Sequence, residues 1–256
     1  MNWLRRQYLE LILFKAWAGL RAESSRNYLT FAWWVFDPIL SMGTYYLVFA
    51  VLLAADREDY VPFLLIGLVF WQWFMNTVKH GMSSILQGGG LMSQASLPKA
   101  IFPSAVITMD TIKFMVVFAL LMVFLLFYGY DVGLPWLALP LLLAAQLLLI
   151  IGCTFLVAAI VPFLPDLRFL VDALLHLMLF MSGIFYAGDA IPERFREFFY
   201  LNPMAYLIDA YRQIFMHNTM PDWEGLVSVF VLAAFLFVTS NWLMTRFERV
   251  YPKIVV

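Results

Sequence analysis

The chain has 256 residues, of which 64% are hydrophobic, 18% aromatic and only 13% charged, with a formal net charge of −1 and a mean hydropathy of +0.84. So few charges cannot cover a domain folded in water, which excludes a soluble enzyme or binding module and places the chain in a membrane. The near-zero net charge excludes nucleic acid as a partner, and the single cysteine, Cys153, excludes an internal disulfide.

In chain order, Leu4, Tyr8, Leu11 and Ile12 recur at helical spacing while Arg5, Arg6 and Glu10 point elsewhere. This predicts a cytoplasmic amphipathic helix over 1–26, lying among lipid headgroups. Glu10 and Lys15 interrupt the apolar run, so neither a cleaved leader nor a twin-arginine signal is expected.

A helix crosses a hydrocarbon core of ~30 Å with about 20 apolar residues. Six segments meet that requirement: 31–55, 61–78, 104–128, 135–161, 169–186 and 225–245. The expected fold is therefore an all-α integral membrane protein, one transmembrane domain of six helices. Eleven Lys and Arg fall on the side of the termini, against Arg57, Arg194, Arg196 and Arg212 on the other. That asymmetry predicts that both ends of the chain, the tail 246–256 included, are cytoplasmic.

Charges inside spans need partners. Asp110 and Lys113 are three residues apart on one helical face, and Arg168, Asp172 and His176 are successive i, i+4 neighbours, so both sets are expected to pair locally. Asp37-Pro38 in the first span predicts a kink beside an unpaired backbone group. The three histidines, His80, His176 and His217, sit on separate segments without metal-ligand spacing, and no catalytic constellation is visible, so neither a metal nor a catalytic residue is expected.

Three features carry functional information. The loop 79–103, GMSSILQGGGLMSQASLPKAIFP from Gly81 onward, is broken by Gly88, Gly89 and Gly90 and predicts a cytoplasmic handle for a partner. The stretch 187–223 is too polar to span. In it Ile191, Phe195, Phe198 and Phe199 share one helical stripe opposite Glu193, Arg194, Arg196 and Glu197, and Asn202-Pro203 breaks the direction before a second helix over 204–216. This predicts two short helices dipping back at the outer leaflet as a lid. Finally, Trp33, Trp34, Tyr45, Tyr46, Trp71 and Trp73 crowd the first two spans, and their rings suit a path for sugar. No GxxxxGK[ST] phosphate loop occurs, so nucleotide energy has to come from another chain.

The motifs WWVFDPIL, FLLIGLVFWQWF, GGGLMSQASLPKAIFP, LPDLRFL, SGIFYAGDAIP and LNPMAYLIDAYR, in this order over nearly the whole length, resemble the permease subunit of ABC type-2 exporters, in the branch that exports lipid-linked O-antigen or capsular polysaccharide. The resemblance implies a homodimer in the bacterial inner membrane, surrounded by lipid, with two separate ATP-binding cassette ATPases that hold ATP and Mg, and a lipid-linked glycan as substrate. It implies that Gln87, Gly88, Gly89, Gly90, Leu91, Met92, Gln94 and Ser96 form the coupling helix and its flanks, and that the helices carrying Ile191, Phe195, Phe198, Phe199, Asn202 and Pro203 form the gate. The competing readings are a multispan membrane enzyme acting on a lipid-linked sugar, which would need acidic or His residues converging at one face, an exporter of teichoic acid, lipid or drug, and a secondary transporter, for which no inverted repeat is visible.

Overall fold

The computed structural model describes residues 2–26, 36, 39–40, 43–44, 47–48, 59–94 and 97–254. Most of the expected first span, with Trp33, Trp34, Asp37-Pro38, Tyr45 and Tyr46, lies outside the described residues. The described chain is helical: α1 (Asn2–Arg26), α2 (Tyr60–Gln87), α3 (Gly89–Gln94), α4 (Ile101–Tyr128), a 3₁₀ turn (Leu134–Ala138) leading into α5 (Leu139–Ile160), α6 (Leu167–Met181), α7 (Glu193–Tyr200), α8 (Pro203–Phe215), α9 (Trp223–Arg246) and α10 (Tyr251–Ile254).

Among the described residues, four helices are long and apolar enough to cross a membrane: Tyr60–Gln87, Ile101–Tyr128, Leu134–Ile160 and Trp223–Arg246. They coincide with the expected second, third, fourth and sixth spans. The expected fifth span departs from its sequence reading. Its helix, α6, has 15 residues and stops at Met181, short of the length a straight crossing needs. The chain then turns through Gly183, whose φ of +67° is a backbone state open mainly to glycine.

The bundle is built around α2. Leu64, Ile66, Phe70, Trp71 and Ile85 are fully buried along its length, because α4, α5 and α8 all pack on it. The largest contact joins α5 to α9. Small residues set these close approaches: a Cβ at Gly81 would meet the Thr154 methyl on α5, and one at Gly152 would meet Leu236 on α9. On α9 the buried stripe Leu226, Val229, Ala233, Ser240 and Met244 is matched by an exposed apolar stripe, Val227, Val231, Phe235, Val238 and Trp242. A soluble helix would place polar residues there; an uncovered face this apolar is what a helix in a membrane carries.

The N-terminal helix also differs from its sequence reading. Ala16 and Leu20 of α1 are buried against α4, while Leu9, Leu13, Phe14 and Trp17 are exposed. Leu9, Leu13, Ala16 and Leu20 fall at i, i+4, i+7 and i+11 on one apolar stripe, whose C-terminal half is covered by α4 and whose N-terminal half is left uncovered.

Candidate functional site

The glycine-broken loop resolves into a capped helix end and a short helix. The N–H of Gly88 donates to the carbonyl of Ile85, and the Gly88 carbonyl accepts from Leu91 and Met92, each at 3.0 Å. A Cβ at Gly88 would strike the Phe102 ring, so the turn requires glycine for space. Helix α2 runs through Lys79 to Gln87, residues read as loop from the sequence, and Gln87 is exposed, its amide donating to Ser83. The two apolar residues of α3 diverge. Leu91 is 48% exposed, whereas Met92 is 6% exposed and packs with Ile85, Phe102, Ile107 and Phe155. Gly89 is buried and Gly90 exposed; Ser96 and the side chain of Gln94 lie outside the described residues.

Beneath α3 the C-terminal segment returns. The Tyr251 side chain is fully buried, its hydroxyl donates to the Ala159 carbonyl at 3.1 Å, and its ring packs on Phe163, which also meets Phe247. Helix α10 touches α3 directly. The sequence reading missed this support; the signal for it was the pair of aromatic residues, Phe247 and Tyr251, among the charges of the tail.

Ion pairs bind the same end of the bundle. Lys113 lies 3.7 Å from Asp110, as the i, i+3 spacing predicts, but its closer partner is Glu23 of α1 at 2.7 Å. Asp110 in turn faces His80 of α2 at 2.8 Å. Asp172 pairs with Lys79 at 3.3 Å, His176 Nδ1 lies 2.8 Å from the Asp172 carbonyl, and the Arg168 guanidinium sits over the Phe169 ring. The local pairs are therefore parts of interhelical links that join α1 to α4, α4 to α2, and α2 to α6.

The aromatic residues of the second span are core. Trp71 is fully buried and Trp73 is 4% exposed, its ring stacked on Phe114 at 3.9 Å and 8°. Phe70 stacks on Tyr211 at 3.6 Å and 5°, and the Phe70 carbonyl accepts from Gln146 of α5 at 2.9 Å. As wall residues of a sugar path, Trp71 and Trp73 are turned the wrong way in this conformation. Both indoles face the interior of their own chain.

At the opposite end, α7 and α8 form a hairpin of unequal halves. Phe195 and Phe198 are exposed, Ile191 is half-buried, and Phe199 is half-buried against Tyr186 and Tyr200. The Asn202 side chain caps α8 by accepting from Met204 N–H at 3.0 Å, with Pro203 in the first turn, where its missing N–H is harmless. The same side chain donates to Ser182 Oγ at 2.8 Å, tying the hairpin corner to the end of α6. Helix α8 is the buried half of the pair. Most of its residues are buried between α2 and α5.

What holds α8 there is Arg212, 3% exposed. Its guanidinium donates to the carbonyls of Phe63, Gly183 and Ile184 at 2.6 to 3.2 Å. Gly67 leaves the room: a Cβ there would lie 2.7 Å from Arg212 Nη2. Two cavities flank this helix. One of about 540 Å³ lies between α8 and α9, with Tyr206, Asp222 and Leu232 in its wall. Another of about 360 Å³ lies toward α2 and α7, with Phe63, Arg196 and His217. Tyr200, Asp209 and Gln213 line both. Burial, with Asp222 and Asp209 nearby, pushes the Tyr206 phenol up to about 12, so it remains a protonated donor, and its hydroxyl donates to the Asp222 carbonyl.

A helical bundle with, among the described residues, four helices long and apolar enough to cross a membrane defines the class: a multi-pass, all-helical membrane protein. The chain belongs to the ABC-2 type transporter family, whose membrane-domain model matches residues 13–216. Members work with an ATP-binding subunit, so this chain is the transport component of such a pair. It is 28% identical over 237 residues to the O-antigen export system permease protein RfbA of Klebsiella pneumoniae, covering 92% of this chain and 91% of that one. A second RfbA from Klebsiella pneumoniae is 25% identical over the same shares, and the RfbA of Myxococcus xanthus is 27% identical over 90% of this chain and 89% of its own.

Proposed function

We propose that this chain is the channel-forming permease of an ATP-driven exporter that moves a lipid-linked polysaccharide, O-antigen or a similar polymer, across the bacterial inner membrane. The observation that carries the reading is the similarity to O-antigen export permeases over 92% of the chain, which takes in both the α3 end and the α7–α8 hairpin. In this reading two copies form the channel from a single six-span transmembrane domain each, with the segment 31–55 as one of the remaining two spans, α6 together with the turn that follows it completing the other, and both termini in the cytoplasm. Two ATPase subunits, which hold ATP and Mg, dock beneath α3. The exposed Leu91 enters a cleft of that partner, while Met92, Phe102 and Tyr251 hold the helix in place from within. The α7–α8 hairpin gates the external mouth: α7 is the movable half, because its apolar residues are exposed, and α8 is the anchored half. Trp33, Trp34, Tyr45 and Tyr46 remain the candidates for the glycan path.

Deleting the gene and restoring it tests this reading. Cells without the permease should keep lipid-linked glycan on the cytoplasmic leaflet and lose surface polysaccharide, with wild-type chain restoring export. Normal surface polysaccharide in the deletion strain would refute it.

A further inference from the structure

The larger cavity, between α8 and α9, has a chemistry of its own. Its volume of about 540 Å³ falls within the range of small-molecule sites, roughly 300–1,000 Å³. Its wall combines two phenol rings, Tyr200 and Tyr206, with the carboxylates Asp209 and Asp222 and the amide of Gln213, closed on one side by apolar Leu232. An acyl chain would bring no hydrogen-bonding group to these side chains, and a phosphate would face two carboxylates.

The carboxylates are also organised by neutral donors. Asp209 Oδ2 accepts from Tyr200 Oη at 3.3 Å and from Gln213 Nε2 at 3.1 Å. Asp222 accepts from the N–H groups of Glu224 and Gly225 at 3.2 and 3.0 Å, capping α9. Carboxylates positioned by neutral hydrogen bonds beside aromatic rings suit a neutral ligand that is polar at its edge and apolar on its faces, which describes a pyranose ring.

We propose that the α8–α9 cavity is a sugar-binding subsite, in which Asp209 and Gln213 hold ring hydroxyls and the Tyr200 and Tyr206 rings contact the sugar's C–H faces. It rests on the polysaccharide-export reading and adds to it a place where the polymer is held beside the hairpin. Tyr206, Asp209 and Gln213 are carried by the pinned α8, whereas Tyr200 ends α7, so the stationary helix keeps its hold on a sugar residue while the Tyr200 contact follows α7.

The test uses the permease with its ATPase in lipid nanodiscs and, as probe, the repeat-unit oligosaccharide released by mild acid from the surface polysaccharide of the same cells. Calorimetry gives its Kd, and surface polysaccharide is measured in cells carrying each variant. Asp209→Asn removes the charge with little change in shape, and Leu232→Trp fills the cavity from its apolar side. Each should weaken binding at least tenfold with an unchanged melting temperature. Wild-type Kd in both variants, or no oligosaccharide binding by a wild-type chain whose cells export normally, would overturn the subsite and leave the export reading standing. A phospholipid headgroup held in an Asp209-dependent manner, without response to the oligosaccharide, would overturn it as well. Absence of export by wild-type cells would remove both together.

Discussion

The guanidinium carbon of Arg212 lies 3.4 Å from the centroid of the Phe63 ring, while Nε and Nη2 of the same residue donate to the Phe63 carbonyl at 3.2 and 3.0 Å. One side chain thus engages both the ring and the backbone of a residue 149 positions away, and with Gly183 and Ile184 it joins α8, α2 and the turn after α6. A charge stays buried here because carbonyl dipoles and a π face replace its water.

Removing that pin should destabilise the external end of the bundle. Arg212→Met leaves the carbonyls of Gly183 and Ile184 without this donor, at about 1–3 kcal/mol each. Arg212→Lys should recover only part, since an ammonium cannot fork across three carbonyls. Gly67→Val should resemble Arg212→Met by displacing the guanidinium. Thermal unfolding in nanodiscs measures all three, and a Gly67→Val chain as stable as wild type would contradict the geometry.

The two apolar residues of α3 should separate docking from folding. Leu91→Glu places a charge where the chain is already exposed, so the permease should fold normally yet recover less ATPase on co-purification and export less. Met92→Glu buries a charge among Ile85, Phe102 and Phe155 and should lower the yield of folded permease itself. Equal behaviour of the two variants in both assays would mean that α3 is only a connector.

Trp73 gives a comparable test of core against path. With its ring stacked on Phe114, Trp73→Ala should cost about 3–5 kcal/mol of stability, the range for a buried aromatic truncated to alanine. Trp73→Phe should keep most of it and export at near wild-type rate. If Trp73→Ala melts like wild type but changes export, the residue lines the path after all.

Gating by α7 is tested by single cysteines at Phe195 and Arg196 with Cys153 replaced. A membrane-impermeant thiol reagent added from outside should label both, and labelling of Phe195 should change when the ATPase partner is trapped with nucleotide. A cysteine in α8, at the buried Ile208, should stay unlabelled in every state. Labelling of α7 that ignores nucleotide would make the hairpin a static cap.

The permease purified alone should hydrolyse no ATP, since its 256 residues contain no phosphate-binding loop, and turnover should appear on adding the partner. Steady phosphate release by the isolated chain would contradict the assignment.

Composition alone puts the chain in a membrane, and its apolar runs mark α2, α4, α5 and α9, because a run of about 20 apolar residues has few other uses. The sequence also marked the break at Gly88 and the change of direction at Asn202-Pro203, since backbone constraints are written in single residues. It could not rank the helices by burial. In water, polarity separates outside from inside; in lipid both sides of a helix are apolar, so buried α2 and lipid-facing α4 read alike, and Trp71 and Trp73 looked as available for sugar as any surface aromatic. Nor could local spacing reveal partners distant in the chain. Lys113 has Asp110 within reach along its own helix, but its closer partner is Glu23, 90 positions earlier, and Arg212 meets Phe63 across the bundle. Only the packing of α1 on α4 and of α8 between α2 and α5 brings these groups together, and a buried charge then takes whichever partners share its cavity.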